Sequence, residues 1–320
     1  MSTVALADIV AYLDDYLRIG EIPDSPNAVN GLEVENRSGT VDRIVAAVDG
    51  GLRTADGMGG AGGTDESRVG AGESRVGAGE SRVGAHDPRV GAHDARVGAH
   101  DPRVGAHDPR VGAHGRAPLL IVHHGMLWDG NVPITGRRYR RLRALMDANV
   151  ALYAAHIPLD VHPEVGNNVV LAERLGVRIE GWWGEYRGIK LGVYGQVPHA
   201  LQSRTALQEE LGRILDEERG SEDRSPLPMM IPAGPDRIQR IGIITGAAGS
   251  MIGEAHALGL DTFVTGEGNH HTWFDADEFG INLCYAGHYA TETLGVQALA
   301  SHLADKFDLP WEFHDHPTGL

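Results

Sequence analysis

The sequence predicts an α/β fold with mixed or parallel sheets in two halves, and three observations predict it. Short apolar runs of strand length alternate with stretches of helical period along most of the chain. Several runs, such as Pro118-Leu-Leu-Ile-Val122, are apolar without alternation, the pattern of strands buried on both faces. The runs also end in histidines and acids, and α/β sheets gather ligand-binding residues at the carboxyl ends of their strands.

Taken in order, residues 3–19 carry Val4, Leu6, Ile9, Val10, Leu13, Tyr16 and Leu17 at helical spacing, with Ser2 or Thr3 available as a cap. A polar, proline-containing connection follows at 20–30, and Arg43 to Asp49 reads as the first buried strand, ending at Gly50-Gly51. The next strand, 118–122, ends in His123-His124-Gly125. Residues 138–148 have the pattern of a basic amphipathic helix, 150–155 of a strand, and 167–175 of a helix closed by Gly176. A strand is expected at 189–197, a helix at 207–215 and a polar linker at 216–224. The last part brings a strand at 238–244, a turn at Gly246-Ala-Ala-Gly249, a helix at 250–258 and a strand at 281–286 that turns at Gly287. A final helix, 290–307, is amphipathic through Leu294, Val296, Leu299, Leu303 and Phe307. The two halves are then residues 1–57 with 117–180, and residues 181–320.

Residues 58–116 read as an insertion. A seven-residue unit repeats there, first Glu-Ser-Arg-Val-Gly-Ala-Gly and later Asp-Pro-Arg-Val-Gly-Ala-His. A period of seven invites a coiled coil, but valine and alanine are the only apolar residues of each unit, and its glycine and proline disfavour a continuous helix. Such a segment cannot bury enough apolar surface to offset its ordering entropy, so a disordered, nearly charge-balanced stretch is expected. Its repeated histidines, His86, His93, His100, His107 and His114, suggest a metal-collecting tract, but copying along with the unit is the plainer account.

Composition narrows the function. The formal net charge of −16 argues against a nucleic-acid partner, because phosphate binding needs a basic surface. Cys284, the one cysteine, excludes an internal disulfide and a multi-cysteine zinc site, and its apolar strand makes it a core residue. Neither a signal-type N-terminus nor a membrane-length apolar run is present, so a cytoplasmic protein without a membrane partner is expected.

Three strand ends carry side chains suited to metals: His123 with His124, Asp160 with His156 nearby, and His288 with Glu292. A histidine and a glutamate four apart share one helix face. Imidazole and carboxylate without thiolate suit zinc, iron, manganese or nickel, and fit calcium poorly. Five such ligands exceed what one open catalytic zinc takes from protein, and suit two divalent ions about 3.5–4 Å apart with a carboxylate between them. Each element has a plainer reading, as a turn or as a glutamate complementing a helix dipole. His162 and the His270-His271 pair qualify only as outer neighbours of such a site. Gly246-Ala-Ala-Gly249-Ser250 is similar to a phosphate-cradling turn, but a turn needed only for chain direction is the plainer reading.

The joint pattern resembles the dinuclear-metal-centre family of GTP cyclohydrolase 1 type 2 homologues, also called NIF-three-like. Four blocks carry the resemblance: Ile121-Val-His-His-Gly-Met-Leu-Trp-Asp-Gly130, the block from Leu152 to Asn168 with His156-Ile-Pro-Leu-Asp160 inside it, Thr262-Phe-Val-Thr-Gly-Glu267, and Ala286-Gly-His-Tyr-Ala-Thr-Glu292. Their order and spacing agree with the family over nearly the whole chain outside the insertion. The resemblance implies two similar α/β halves with mixed sheets facing across a metal-containing cleft. It places the metal ligands on His123, His124, Asp160, His288 and Glu292, with Glu292 as the bridge and His156 as a neighbour that orients them. It also implies a toroidal homohexamer, here in the compact form without an extra domain. The departure is the repeat, which interrupts the helix expected after Thr54-Ala-Asp-Gly.

Two functions compete. One is a metal-dependent hydrolase acting on a small, nucleotide-type substrate, with Glu267 or a nearby histidine moving protons. The other is a non-catalytic metal-binding regulatory or metal-delivery protein whose ring presents ions to a partner.

Overall fold

In the computed structural model, which describes residues 2–58, 116–220 and 226–319, the apolar runs pair into sheets covered on both faces. Arg43–Asp49, Pro118–His124 and Ala151–Ala154 lie side by side in parallel. Trp311–Phe313 joins one edge in parallel and Gly31–Val34 the other antiparallel, giving a mixed five-stranded sheet. The continuous apolarity of these strands has a direct cause. Ile44, Ala46, Leu119 and Ile121 enter one core with helices Leu6–Tyr16 and Thr293–Phe307. Val45, Ala47, Leu120 and Val122 enter another, shared with Leu142 and Leu145 of helix Gly136–Asp147. Side chains alternate along a strand, so covering both faces requires both sets to be apolar.

The second sheet repeats this logic. Arg240–Ile244, Thr262–Thr265 and Asn282–Tyr285 run parallel at its centre. The antiparallel hairpin of Arg178–Tyr186 and Ile189–Gln196 extends one side, and antiparallel Met229–Pro232 closes the other. Val264 and Cys284 pack among residues of helices Asn167–Arg174 and Arg204–Arg219, whereas Phe263 and Leu283 pack among those of Ile252–Ala257 and Thr272–Phe279. Cys284 is therefore a core residue, and burial pushes its thiol up to about 12. The architecture is the mixed α/β one the sequence predicts. Among the described residues no helix is long and apolar enough to cross a membrane.

Several elements differ from expectation. Val4–Ala5 is a short strand paired with Thr40–Val41, and the first helix begins only at Leu6. Residues 216–219, expected as linker, continue helix Arg204–Arg219. Ser203 caps that helix, Arg213 pairs with Glu210 and Glu217 along it, and Gly220 (φ 61°) ends it, so the polarity marks a solvated face. Edge strands Gly31–Val34, Met229–Pro232 and Trp311–Phe313 are too short to leave a periodic signal.

The final helix is split into His288–Thr291 and Thr293–Phe307, with Glu292 at the junction (φ −101°, ψ 1°). The Thr291 hydroxyl bonds the carbonyls of Gly287 and His288, the Thr293 hydroxyl bonds that of Ala290, and the Glu292 amide reaches only to Tyr289. Such local bonds compete with a regular helix. Helix Leu52–Met58 is present ahead of the insertion. The repeat, with its expected disorder and its histidine tract, lies outside the described residues.

Candidate metal centre

The side chains of interest follow the carboxyl ends of the parallel strands in both sheets. Asp49 and His123-His124 end two strands of the first sheet, and His156 lies just beyond Ala154. Thr245, Glu267 and His288 follow the three central strands of the second. This is where an α/β sheet offers side chains to a ligand.

At the centre is Glu292, a carboxylate only 3% exposed. His123 Nε2 lies 3.5 Å from its Oε1, His288 Nε2 lies 3.2 Å from the same oxygen, and His124 Nε2 lies 3.3 Å from Oε2. His123 Nε2 is also 3.6 Å from Asp160 Oδ2. The other nitrogen of each ring is anchored. Nδ1 of His123 meets the Ala155 carbonyl at 3.0 Å, Nδ1 of His124 meets Asp49 at 2.9 Å, and Nδ1 of His288 meets Glu267 at 2.8 Å. Those acceptors place the proton on Nδ1 and leave the Nε2 lone pairs facing the carboxylates. This is how metal-binding histidines are held.

The residues fit a metal ion. His123 Nε2 and Glu292 Oε2 are buried without a hydrogen-bond partner, and an unpaired buried polar group is costly. Several of the nitrogen–oxygen spacings are long for hydrogen bonds. Ligand atoms each about 2.0–2.2 Å from one ion at tetrahedral angles stand about 3.3–3.6 Å apart, which is the spacing here. Two groups of ligand-type atoms, each within 4.8 Å, can be drawn: His123, His124 and His156, and His124, His288 and Glu292. Gly246 keeps the space open, since a Cβ there would meet Glu292 Oε1 at 2.4 Å.

Without an ion, protons do the neutralising. Burial opposes a charge on His123, but Asp160 and Glu292 outweigh it and push it up to about 10. The bond to Glu292 leads in raising His288 to about 9, against its burial. Burial would raise Glu292 in turn, yet the imidazoles hold it well below the usual carboxylate range. A buried carboxylate so enclosed by imidazoles demands positive charge.

Comparison with known proteins then fixes the family. Residues 112–318 match the model of Duf34/NIF3 (NGG1p interacting factor 3). The chain belongs to the Duf34/NIF3 family. It is 34% identical over 313 residues to a "GTP cyclohydrolase 1 type 2 homolog" of Deinococcus radiodurans, covering 98% of this chain and 94% of that protein. A relative of the same name from Pyrococcus abyssi is 33% identical over 328 residues, covering 98% of each. Among solved structures, TTHA1606 from Thermus thermophilus is similar with a TM-score of 0.67 and 33% identity, over 99% of this chain and 100% of that one.

In this Duf34/NIF3 chain, the structure brings His123, His124, Asp160, His288 and Glu292 together. His156 stands among them: Asp24 holds its Nδ1 at 2.8 Å, leaving Nε2 as the atom it offers beside His123 and His124. Asp160 ends the one-turn helix Ile157–Asp160, where Asn167 Nδ2 donates to its Oδ1 at 2.9 Å. Glu267 contacts the site through His288. His162 lies elsewhere: its Nε2–H donates to the Tyr16 carbonyl, and its Nδ1 accepts from the amides of Glu164 and Val165. His270 packs edge-on against Phe274, and His271 is exposed near Asp275. Sequence reasoning missed Asp49 and Asp24, which hold His124 and His156. Asp49 could have been found as an acid ending a buried strand. Asp24, in an irregular connection, carries no local signal.

Proposed function

We propose that this chain holds two divalent ions and acts as a metal-dependent hydrolase on a nucleotide-type substrate. One observation carries the reading: a buried carboxylate, Glu292, meets Nε2 of three histidines drawn from both sheets. His123, His124, Asp160, His288 and Glu292 would hold the ions, with Glu292 between them, and His156 beside His123 and His124. Bound ions supply Lewis-acid polarisation and the activation of water at neutral pH. The chain's residues do the rest. Asp49 and Glu267 fix the tautomers of His124 and His288 by accepting their Nδ1–H groups. Glu267, with its side chain about half exposed, can also move a proton between the site and solvent. The relatives' name supports the substrate class. We further propose a homohexamer, to be measured by light scattering.

The test is elemental mass spectrometry on untagged protein purified without chelator, followed by a screen of nucleotides at saturating metal. Two ions per chain with turnover is expected. Protein that takes up no metal after reconstitution with zinc, iron or manganese overturns the reading at its base. Full loading without turnover rejects the hydrolase and leaves a metal-delivery role.

A further inference from the structure

We propose that the pocket beside Glu267 is a stacking subsite for the planar aromatic base of the substrate. This rests on the nucleotide-type reading above and deepens it. The pocket has a volume of about 370 Å³, within the range of small-molecule sites, and opens among Met229, His270, Trp273, Phe274 and Tyr285.

Apart from Tyr285, its rings are not used by the core. Helix Thr272–Phe279 buries Thr272 and Ala276, one turn apart, and this leaves Trp273 and Phe274 on the other side, 47% and 51% exposed. Trp273 and Phe274 meet edge to face, with centroids 5.2 Å apart, and His270 meets Phe274 the same way at 5.7 Å. Tyr285 is fixed at the back by its hydroxyl bond to Thr272. Gly268 keeps the near wall low, because a Cβ there would meet the Tyr285 hydroxyl at 2.5 Å. Asn269 also lines the pocket, and its exposed carboxamide offers both a donor and an acceptor to a base edge.

Continuity with the metal centre selects the occupant. Glu267 holds His288, and the next residue, Gly268, lines the pocket. Tyr285, another lining residue, stands three positions before His288. Glu267 and Tyr285 thus join the metal centre to the pocket along the chain, and the proposed ligand sets its polar end at the metal ligands and its flat ring against Trp273 and Phe274. Rings stack on aromatic side chains in a way that tolerates base identity, with Asn269 adding preference.

The experiment uses zinc-loaded full-length protein of measured metal content. Binding of guanosine monophosphate and of ribose 5-phosphate is followed by calorimetry, and tryptophan fluorescence is recorded alongside. The base-bearing ligand should bind more tightly and quench fluorescence. Trp273→Ala and Phe274→Ala should each weaken it roughly 5- to 150-fold, the range for losing one stacked base, and Trp273→Phe should restore most of the loss. Ribose 5-phosphate should be unaffected throughout. Equal affinity for the two ligands, or alanine variants that bind guanosine monophosphate as tightly as wild type, overturns the subsite. So does a change of mass by light scattering in Trp273→Ala with nucleotide binding intact, since a second copy of the chain then covers the patch. Base-dependent binding without turnover would sink the hydrolase and leave the subsite standing. Turnover unaffected by both alanine variants would do the reverse.

Discussion

Glu292→Gln removes the charge that three imidazoles share while nearly preserving the side chain's shape. In metal-free protein, Asp160 and Glu292 keep His123 protonated up to about 10. Removing one partner of a buried ion pair costs about 3–5 kcal/mol. Asp160 also holds His123 protonated and remains in the variant, so only part of that histidine's stabilisation is lost with the glutamate. At about 2–4 °C per kcal/mol for a chain of this size, the metal-free variant should melt roughly 10 °C lower. The pH dependence has a definite sign. A histidine whose folded pKa is raised stabilises fully below its unfolded pKa, near 6.5, and loses that contribution as pH rises through about 10. The gap between wild type and variant is therefore wide near neutrality and narrows toward pH 10. Calorimetry on chelator-treated samples across this range measures it, and elemental analysis of untreated samples should show less metal in the variant. An unchanged melting temperature at neutral pH together with unchanged metal content would refute the reasoning.

Three other outcomes are expected. Gly246→Ala puts a Cβ 2.4 Å from Glu292 Oε1 at a position of positive φ, so it should lower metal content although no ligand changes; full loading would show that Glu292 can move without loss. Asp49→Asn takes away the carboxylate that accepts from His124 Nδ1, and a chelator competition should show metal bound about 10–100-fold more weakly. Burial holds His162 below its usual pKa, so its contribution to stability is present above about 6.5 and lost as pH falls below that value. Denaturant titrations between about pH 5 and 7 should show that slope flattened in His162→Gln, and an identical slope would place the titration elsewhere.

What the sequence made legible was whatever burial on two faces imposes. Arg43–Asp49 needs apolar residues at every inner position, so its bounds could be read directly. The same holds for the run ending at His123-His124, whose histidines stand out because they break an apolar strand at its carboxyl end. Edge strands such as Gly31–Val34 have one neighbour and few positions, and leave no period to detect. Helix Arg204–Arg219 outran its apolar stripe because ion pairs sustain its last turn. The side chains that hold the histidine rings were harder still. Asp24 reaches His156 across more than a hundred residues of chain, and only the folded structure brings the two together.

The arrangement of the site at the ends of both sheets has a consequence for the order of events during synthesis. Among the described residues, the ligand set around Glu292 is not local: His123 and His124 wait on a carboxylate made long after them. Asn168, which bridges the Asp160 turn to Leu191 and Thr245, lies between the early and late strands and needs both. A growing chain thus offers an ion only the imidazoles of His123, His124 and His156, without the Glu292 carboxylate, until the helix that follows Glu292 docks. Capture at Glu292 would then mark the docking of that helix, and a chain truncated before it would hold metal more weakly, through His123, His124 and His156 alone.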